Sequence, residues 1–369
     1  MDRWSLPGPS GFIARMMEAL RNGENVVVGS SSATSAAIAE TIEDRIADVW
    51  RLVGPITAAG SLPIDELYNT FDLHGEHGSR RNAASLLARI ESKCVILVDG
   101  VGNAQWTEWQ RFLDDYANAS RAISAVERTQ ILVVTSGVPK SKLSSRAPAL
   151  STLIWDGVIS EADVFSYVTQ SSLRRGTKID AQAKLISRII TRLALWDFDL
   201  IDSLLDLNPR DLFDPSAAVL AATVGNPSLQ QLGTTWEGGG RAEFDGEDLQ
   251  HAVLLARTGD PKGDLQMRLW AAQASELLPT LEINRRQLTV RMKQARLSLP
   301  VKLNDELIHD LSNIEIGPLL YLARKHRLPS DIIRIAEKYT NIRNKLAHLN
   351  PVNADEALDI EVLYSRRPR

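Results

Sequence analysis

Residues 25–36 read Asn25-Val26-Val27-Val28-Gly29-Ser30-Ser31-Ser32-Ala33-Thr34-Ser35-Ala36. Three consecutive valines favour a short buried strand. The small polar residues after Gly29 read as a tight loop. From Ala36 to Trp50 the apolar residues Ile38, Ile42, Ile46 and Trp50 recur every fourth position, which predicts a helix. Upstream, Phe12, Ile13, Met16, Met17 and Leu20 share one helical face, and Asn22-Gly23 stops that helix. The strand pattern returns downstream. Residues 94–98 form a wholly apolar strand ending at Asp99-Gly100, residues 106–116 a helix, and residues 130–134 a second apolar strand ending at Thr135-Ser136-Gly137. Weaker signals predict strands over 52–57 and 150–155, the latter at an edge, and helices over 64–71 and 81–90. Strands alternating with helices predict a parallel sheet with crossover helices. Both faces of such a sheet are covered, which explains runs that are continuously apolar.

Composition sets the outer bounds. The chain has 369 residues, 44 % apolar and 24 % charged, as ordinary globular domains do. A net charge of −4 argues against coating nucleic acid nonspecifically. Cys94 is the only cysteine, so no internal disulfide and no Cys-based zinc site can form, which fits a reducing compartment. Residues 1–11 hold no apolar core of a secretory signal, and no apolar stretch reaches membrane-spanning length. The expected location is therefore cytoplasmic, with no membrane partner. His74 and His77, in a polar loop, come closest to a metal cluster, and no metal is assigned to them.

After residue 161 the pattern is helical, over 164–168, 184–195 and 217–224. Residues 226–247 are rich in Gly, Thr, Ser and Gln and include Gly238-Gly239-Gly240, the composition of a linker. Long helical patterns follow over 265–296, where Pro279 is expected to kink or interrupt the helix, and over 332–349. The boundaries read from sequence are 1–160 for the α/β domain, 161–225 for a helical extension, 226–248 for a linker and 249–369 for an all-α domain.

The loop after the first strand can be set against a phosphate-binding loop. Such a loop cradles phosphates with backbone N–H groups, reaches them with a lysine and binds Mg²⁺ through a Ser/Thr hydroxyl. Gly29 matches its first glycine. Thr34 stands at the second glycine, Ser35 at the lysine and Ala36 at the magnesium ligand. Asp99 ends an apolar strand as a Walker B aspartate does, followed by Gly100 rather than glutamate. Thr135 or Ser136 stands where a polar sensor would end the next strand. Over the first 160 residues the chain resembles AAA+ and related P-loop ATPases with a degenerate Walker A motif. The missing lysine and hydroxyl remove the contacts to phosphate and metal, so ATP hydrolysis is not expected. Residual ATP or ADP binding through Gly29, Thr34, Ser35, Asp99 and Thr135 stays open. Asp99 reads equally as a strand-end residue capping a turn, and Ser30-Ser31-Ser32 as a polar loop capping the next helix.

Near the C-terminus, residues 339–351 read Tyr339-Thr340-Asn341-Ile342-Arg343-Asn344-Lys345-Leu346-Ala347-His348-Leu349-Asn350-Pro351. Arg343 and His348 form an Arg-x4-His pair. On a helix Asn344 and His348 lie one turn apart, and Ile342, Leu346 and Leu349 are expected to face the core. Over residues 249–369 this resembles the HEPN superfamily of helical domains, many of them metal-independent ribonucleases carrying Arg-x4–6-His. Residues 270–273 and 281–286 give weaker support. The resemblance implies a homodimer formed through the C-terminal domain and RNA as substrate, with Arg343, Asn344 and His348 as catalytic residues. Imidazoles titrate close to neutrality and can move the 2′-OH proton. An arginine can hold the phosphate as its charge develops, and no cofactor is required. The bland alternative is cationic capping of a helix C-terminus.

Together these readings give an α/β P-loop-type parallel-sheet domain followed by an all-α HEPN-like bundle. The implied function is a regulated ribonuclease of the bacterial defence or toxin type, in which the ATPase-like module senses a trigger. A protein partner from a defence complex fits that arrangement. The alternative is a non-enzymatic pseudo-ATPase and HEPN-like binding or dimerisation subunit of a larger defence or DNA-associated complex.

Overall fold

The computed structural model describes residues 2–58, 60–73, 81–90, 93–145, 147–178, 180–295 and 297–359. His74 and His77 lie outside the described residues. Packing divides the chain into two compact units, one formed by Met1–Val164 with Gly225–Leu254, the other by Phe165–Val224 with Leu255–Arg369.

The first unit begins with α1 (Pro7–Arg21), β1 (Asn25–Gly29) and α2 (Ser35–Ala47). It continues through β2 (Arg51–Thr57), α3 (Pro63–Thr70), α4 (Ala83–Leu87), β3 (Cys94–Gly102), α5 (Asn103–Ser120), β4 (Gln130–Ser136) and β5 (Leu150–Ile154). The five strands form one sheet in the order β2-β3-β4-β1-β5, with every neighbouring pair parallel. β1 is therefore interior, between β4 and β5, and β5 is an edge. The apolar strand runs split between the two faces because successive side chains point opposite ways. Val26, Val28, Val95, Leu97, Leu132 and Val134 pack with α1 and α2 residues such as Met16 and Ile42. Val27, Ile96, Val98, Ile131 and Val133 pack on the other face with Leu67, Trp109 and Tyr116.

β3 does not stop at Asp99, as expected, but continues to Gly102. The register with β4 shifts between Val98 and Val101. Asp99-Gly100 is thus a bulge, with Gly100 at φ 76°. A bulge of this kind takes a glycine readily, because the left-handed region costs it nothing.

The chain passes to the second unit within α6 (Glu161–Arg174) and forms α7 (Ala181–Ala194), α8 (Phe198–Leu205) and α9 (Pro215–Ala222) there. It returns for α10 (Pro227–Gln230) and the antiparallel hairpin β6 (Arg241–Phe244) and β7 (Glu247–Gln250). Residues 165–224, read as an extension of the first domain, therefore pack with the C-terminal helices. Residues 226–248, expected as a linker, are folded into the first unit. Composition misled there because Trp236 is buried, 7 % exposed, in the same core as Trp109.

Beyond α11 (Ala252–Arg257) comes α12 (Asp264–Gln294), a single helix of 31 residues that continues through Pro279 without interruption. The hairpin β8 (Val301–Leu303) and β9 (Glu306–Ile308), α13 (Ile316–Lys325), α14 (Ser330–Ala347) and α15 (Ala354–Ala357) complete the second unit. α12 packs along α7, α13 and α14, and Leu277 and Leu281, flanking Pro279, are both buried. That packing outweighs the lost hydrogen bond at the proline. Among the described residues no helix is long and apolar enough to cross a membrane.

Candidate functional site

Two places in the chain gather the residues singled out by sequence, one in each unit. In the first, β3, β4 and β1 are consecutive in one parallel sheet, so the loop after Gly29, the Asp99 bulge of β3 and Thr135 of β4 lie toward the carboxyl ends of adjacent strands. Ligands of open α/β sheets bind at such ends.

The hydroxyls of Ser30, Thr34, Ser35 and Thr135 are committed to the protein itself. Gly29 is closely packed: a Cβ on it would stand 2.4 Å from Leu143 Cδ1, so the leucine side chain would have to shift to admit one. Thr135 is fully buried, and its Oγ1 donates to the Val28 carbonyl (3.3 Å) and accepts from the Ser30 N–H (3.3 Å). The Ser30 hydroxyl donates to the Thr135 carbonyl. Thr135 thus ties β1 to β4. Thr34 turns back on its own loop, with its hydroxyl 3.0 Å from Ser31 Oγ. Ser35, buried in the first turn of α2, donates from Oγ to Ser136 Oγ at 3.2 Å. The backbone N–H groups of Thr34 and Ser35 both reach the Ser31 carbonyl, at 3.2 and 3.0 Å.

One amide of the loop reaches further. The Ser32 N–H donates to the main-chain carbonyl of Glu237 at 2.8 Å. Sequence reading missed this partner; the signal was a tryptophan beside three glycines, a pairing better suited to a close-packed turn than to a linker.

Asp99 is half-buried, and its Oδ1 is buried with no hydrogen-bond partner. Burial raises its carboxyl above the ordinary carboxylate range, and the Gly100 backbone N–H pulls it partly back.

In the second unit, Arg343, Asn344 and His348 are all exposed at the C-terminal end of α14. The helix ends at Ala347, with His348 as its C-cap. The Leu349 N–H reaches the Leu346 carbonyl (3.3 Å) and the Asn350 N–H the Lys345 carbonyl (2.9 Å), the two bonds of a Schellman turn. Leu349 takes the left-handed position of that turn (φ 59°) and is 53 % exposed. It does not face the core, as expected, because the helical period has already ended. Ile342 and Leu346 are buried as expected.

Two residues of α12 hold this terminus. Trp270 Nε1 donates to the Leu346 carbonyl at 2.7 Å. Gln273, fully buried, donates from Nε2 to the Val352 carbonyl (2.8 Å) and accepts the Val352 N–H on Oε1 (2.6 Å).

The motif residues do not converge on one cavity. Arg343 lines a groove of about 310 Å³ with Leu278, Glu282, Arg285, Glu315 and Tyr339, and neither Asn344 nor His348 lines it. Arg343 is ion-paired with Glu315 at 3.3 Å. Arg285 fastens the groove wall, donating to the carbonyls of Ser312 (2.7 Å) and Ile314 (2.8 Å) and pairing with Glu282. Burial raises the Tyr339 phenol to about 12, so it stays neutral. Asn344 and His348 stay together at the helix end, where the His348 N–H donates to the Asn344 carbonyl at 3.1 Å.

No protein-family model matches the chain, and no curated protein matches its sequence.

Proposed function

We propose that the protein is a regulated, metal-independent RNA endonuclease of the bacterial defence or toxin kind, whose second unit acts as a HEPN-like dimer and whose first unit is a degenerate P-loop module. The observation that carries this reading is the exposure of Arg343, Asn344 and His348 on a helix end held by Trp270 and Gln273. A histidine anchored this way is exposed to meet a phosphodiester, and Arg343 can join it by leaving Glu315. The interior position of β1 and the loop leading from it into α2 support the P-loop part.

The chemistry needs no cofactor. His348 accepts the proton of a ribose 2′-OH as the 2′-oxygen attacks phosphorus. The 5′-oxygen leaves and takes a proton from a protonated imidazole, that of His348 itself or of a second copy, giving a 2′,3′-cyclic phosphate and a 5′-OH. Arg343 holds the non-bridging oxygens as their charge grows. Its exposed pair with Glu315 is worth only about 0–1 kcal/mol, so a phosphate can displace the carboxylate. At about 100° per residue, Arg343 and His348 point roughly 140° apart around α14. A single copy therefore does not aim both at one phosphate, which supports a paired arrangement with the histidine of a second copy.

The divergence of the two side chains also favours a second reading, a non-enzymatic binding or dimerisation subunit in which Arg343 serves only its ion pair. An RNA assay separates them. Full-length protein is incubated with labelled single-stranded RNA in EDTA, beside induced expression in cells. Single strands are used because in-line attack needs a backbone free to leave A-form geometry. The ribonuclease reading expects cyclic-phosphate products and growth arrest. His348→Ala is expected to cut the rate by roughly 10²–10⁴-fold, the usual contribution of a general acid or base. No cleavage and no growth effect from the wild type would leave the binding-subunit reading.

A further inference from the structure

We infer that the anion-binding position of the 30–34 loop is occupied in cis by the turn 235–240, with the peptide carbonyl of Glu237 standing where a phosphate oxygen would lie. This rests on the P-loop reading of the first unit for its meaning, though the contact itself does not depend on it.

The Ser32 amide of the loop is already spent. A phosphate-binding loop works by leaving backbone N–H groups free to converge on an anion. Here the Ser32 N–H points at the Glu237 carbonyl, 2.8 Å away, a neutral acceptor with partial negative charge. The Gly137 N–H ties the neighbouring Ser30 carbonyl at 3.0 Å.

The turn is shaped for this approach. Gly239 has φ 79°, and a Cβ there would stand 2.6 Å from the Ala33 Cβ. Gly137 has φ 69°, and its Cβ would lie 3.0 Å from the Glu237 carbonyl oxygen. Glycine at both positions lets two main chains come together where any side chain would hold them apart. The turn also closes on itself, through Gly233 N–H to the Gly238 carbonyl (2.8 Å), Gly239 N–H to Trp236 (2.9 Å) and Gly240 N–H to Thr235 (2.9 Å).

The turn is anchored as well as fitted. Trp236 is buried in the sheet core, and the Lys140 ammonium lies 5.2 Å from its ring centroid. Lys140 is in turn paired with Asp156, whose other oxygen accepts the Glu243 N–H at 2.8 Å. A hydrogen bond from the Thr235 hydroxyl holds the Glu237 carboxyl below its ordinary range, so the turn carries negative charge at neutral pH. A triphosphate would have to displace the carbonyl and approach a carboxylate. The first unit thus recognises a segment of its own chain where a nucleotide-binding relative would recognise a nucleotide.

Hydrogen exchange on the full chain tests the contact directly. The Ser32 amide is expected to be protected in the wild type. Gly239→Val is expected to speed its exchange about tenfold, the equivalent of one backbone hydrogen bond, while residues 95–98 stay protected. Rapid exchange at Ser32 in the wild type overturns the inference, whatever becomes of the variant. A titration with a fluorescent ATP analogue and Mg²⁺ adds the functional arm. The triple variant Thr34→Gly, Ser35→Lys, Ala36→Thr, which restores the motif, is expected not to bind while the turn is in place, and to bind when Gly239→Val is added. Binding by the triple variant alone overturns the inference, because the site would then be open. A protected Ser32 with no binding by any variant keeps the clamp and retires the P-loop reading.

Discussion

Gln273 brackets Val352: its side-chain amide gives one hydrogen bond to the Val352 carbonyl and takes one from the Val352 N–H, at 2.8 and 2.6 Å. Both residues are buried, so neither backbone group of Val352 can turn to water instead. The bracket fixes the chain four residues beyond His348. Gln273→Leu keeps much of the volume and removes both partners. Each orphaned buried group costs about 1–3 kcal/mol, so with two groups a loss of roughly 2–6 kcal/mol is expected in urea denaturation. Asn344→Ala, at an exposed position on the same helix end, should stay within about 0.5 kcal/mol of the wild type. Equal effects from the two substitutions would mean that the bracket is not what holds the segment.

Leu349 sits in a left-handed conformation (φ 59°) with its side chain largely in solvent, so it gains little from burial and bears the steric cost of its Cβ. Glycine is the residue this position of a Schellman turn favours. Leu349→Gly is therefore expected to stabilise the protein by about 1 kcal/mol, read as a higher urea midpoint with an unchanged slope. A fall in the midpoint would show that the leucine makes a contact worth more than its strain.

Asp99 provides a test with a defined pH dependence. Its folded-state carboxyl is raised by burial, so its ionisation disfavours the folded state. The stability it contributes is fully present below the ordinary aspartate range and is lost as pH rises through the raised folded value. Asp99→Asn should accordingly raise the melting temperature at pH 7, with the gain shrinking toward zero as the pH falls below about 4. A melting temperature that drops at pH 7 would show that the carboxylate is stabilising there.

Much of the first unit's sheet was legible because its strands are buried on both faces and read as unbroken apolar runs, Val26 to Val28 and Cys94 to Val98 among them. The order of the strands was not legible, since it depends on pairings far apart in sequence, such as Val27 with Val133 and Thr152. The bulge at Asp99-Gly100 passed for a strand end because glycine after an apolar run reads as a stop. At the motif helix, the 3.6-residue period identified Ile342 and Leu346 correctly and then carried one step too far, to Leu349, because a Schellman turn closed by a non-glycine residue leaves no glycine to mark it. Glu315, which pairs with Arg343, lies 28 positions earlier, and no local pattern links the two.

Residues 238–240 also bear on how the chain is cut by proteases. By composition, three consecutive glycines are the natural place for a nick. Yet Gly239 and Gly240 are buried, and Trp236 anchors the turn from the core. A protease needs several residues of extended, accessible backbone, and exposing them here means pulling a tryptophan out of the sheet unit. Val224, by contrast, is 80 % exposed and is followed by an exposed Gly225 at φ 81°, where the chain passes from one compact unit to the other. Val126, in the stretch between α5 and β4, is 79 % exposed. Brief digestion with a protease of broad specificity, read by intact-mass spectrometry, should therefore cut near 224–226 or 124–128 before it cuts at 236–240. If the earliest fragments end inside 236–240, the turn opens readily, and both its anchoring by Trp236 and its hold on Ser32 would have to be given up.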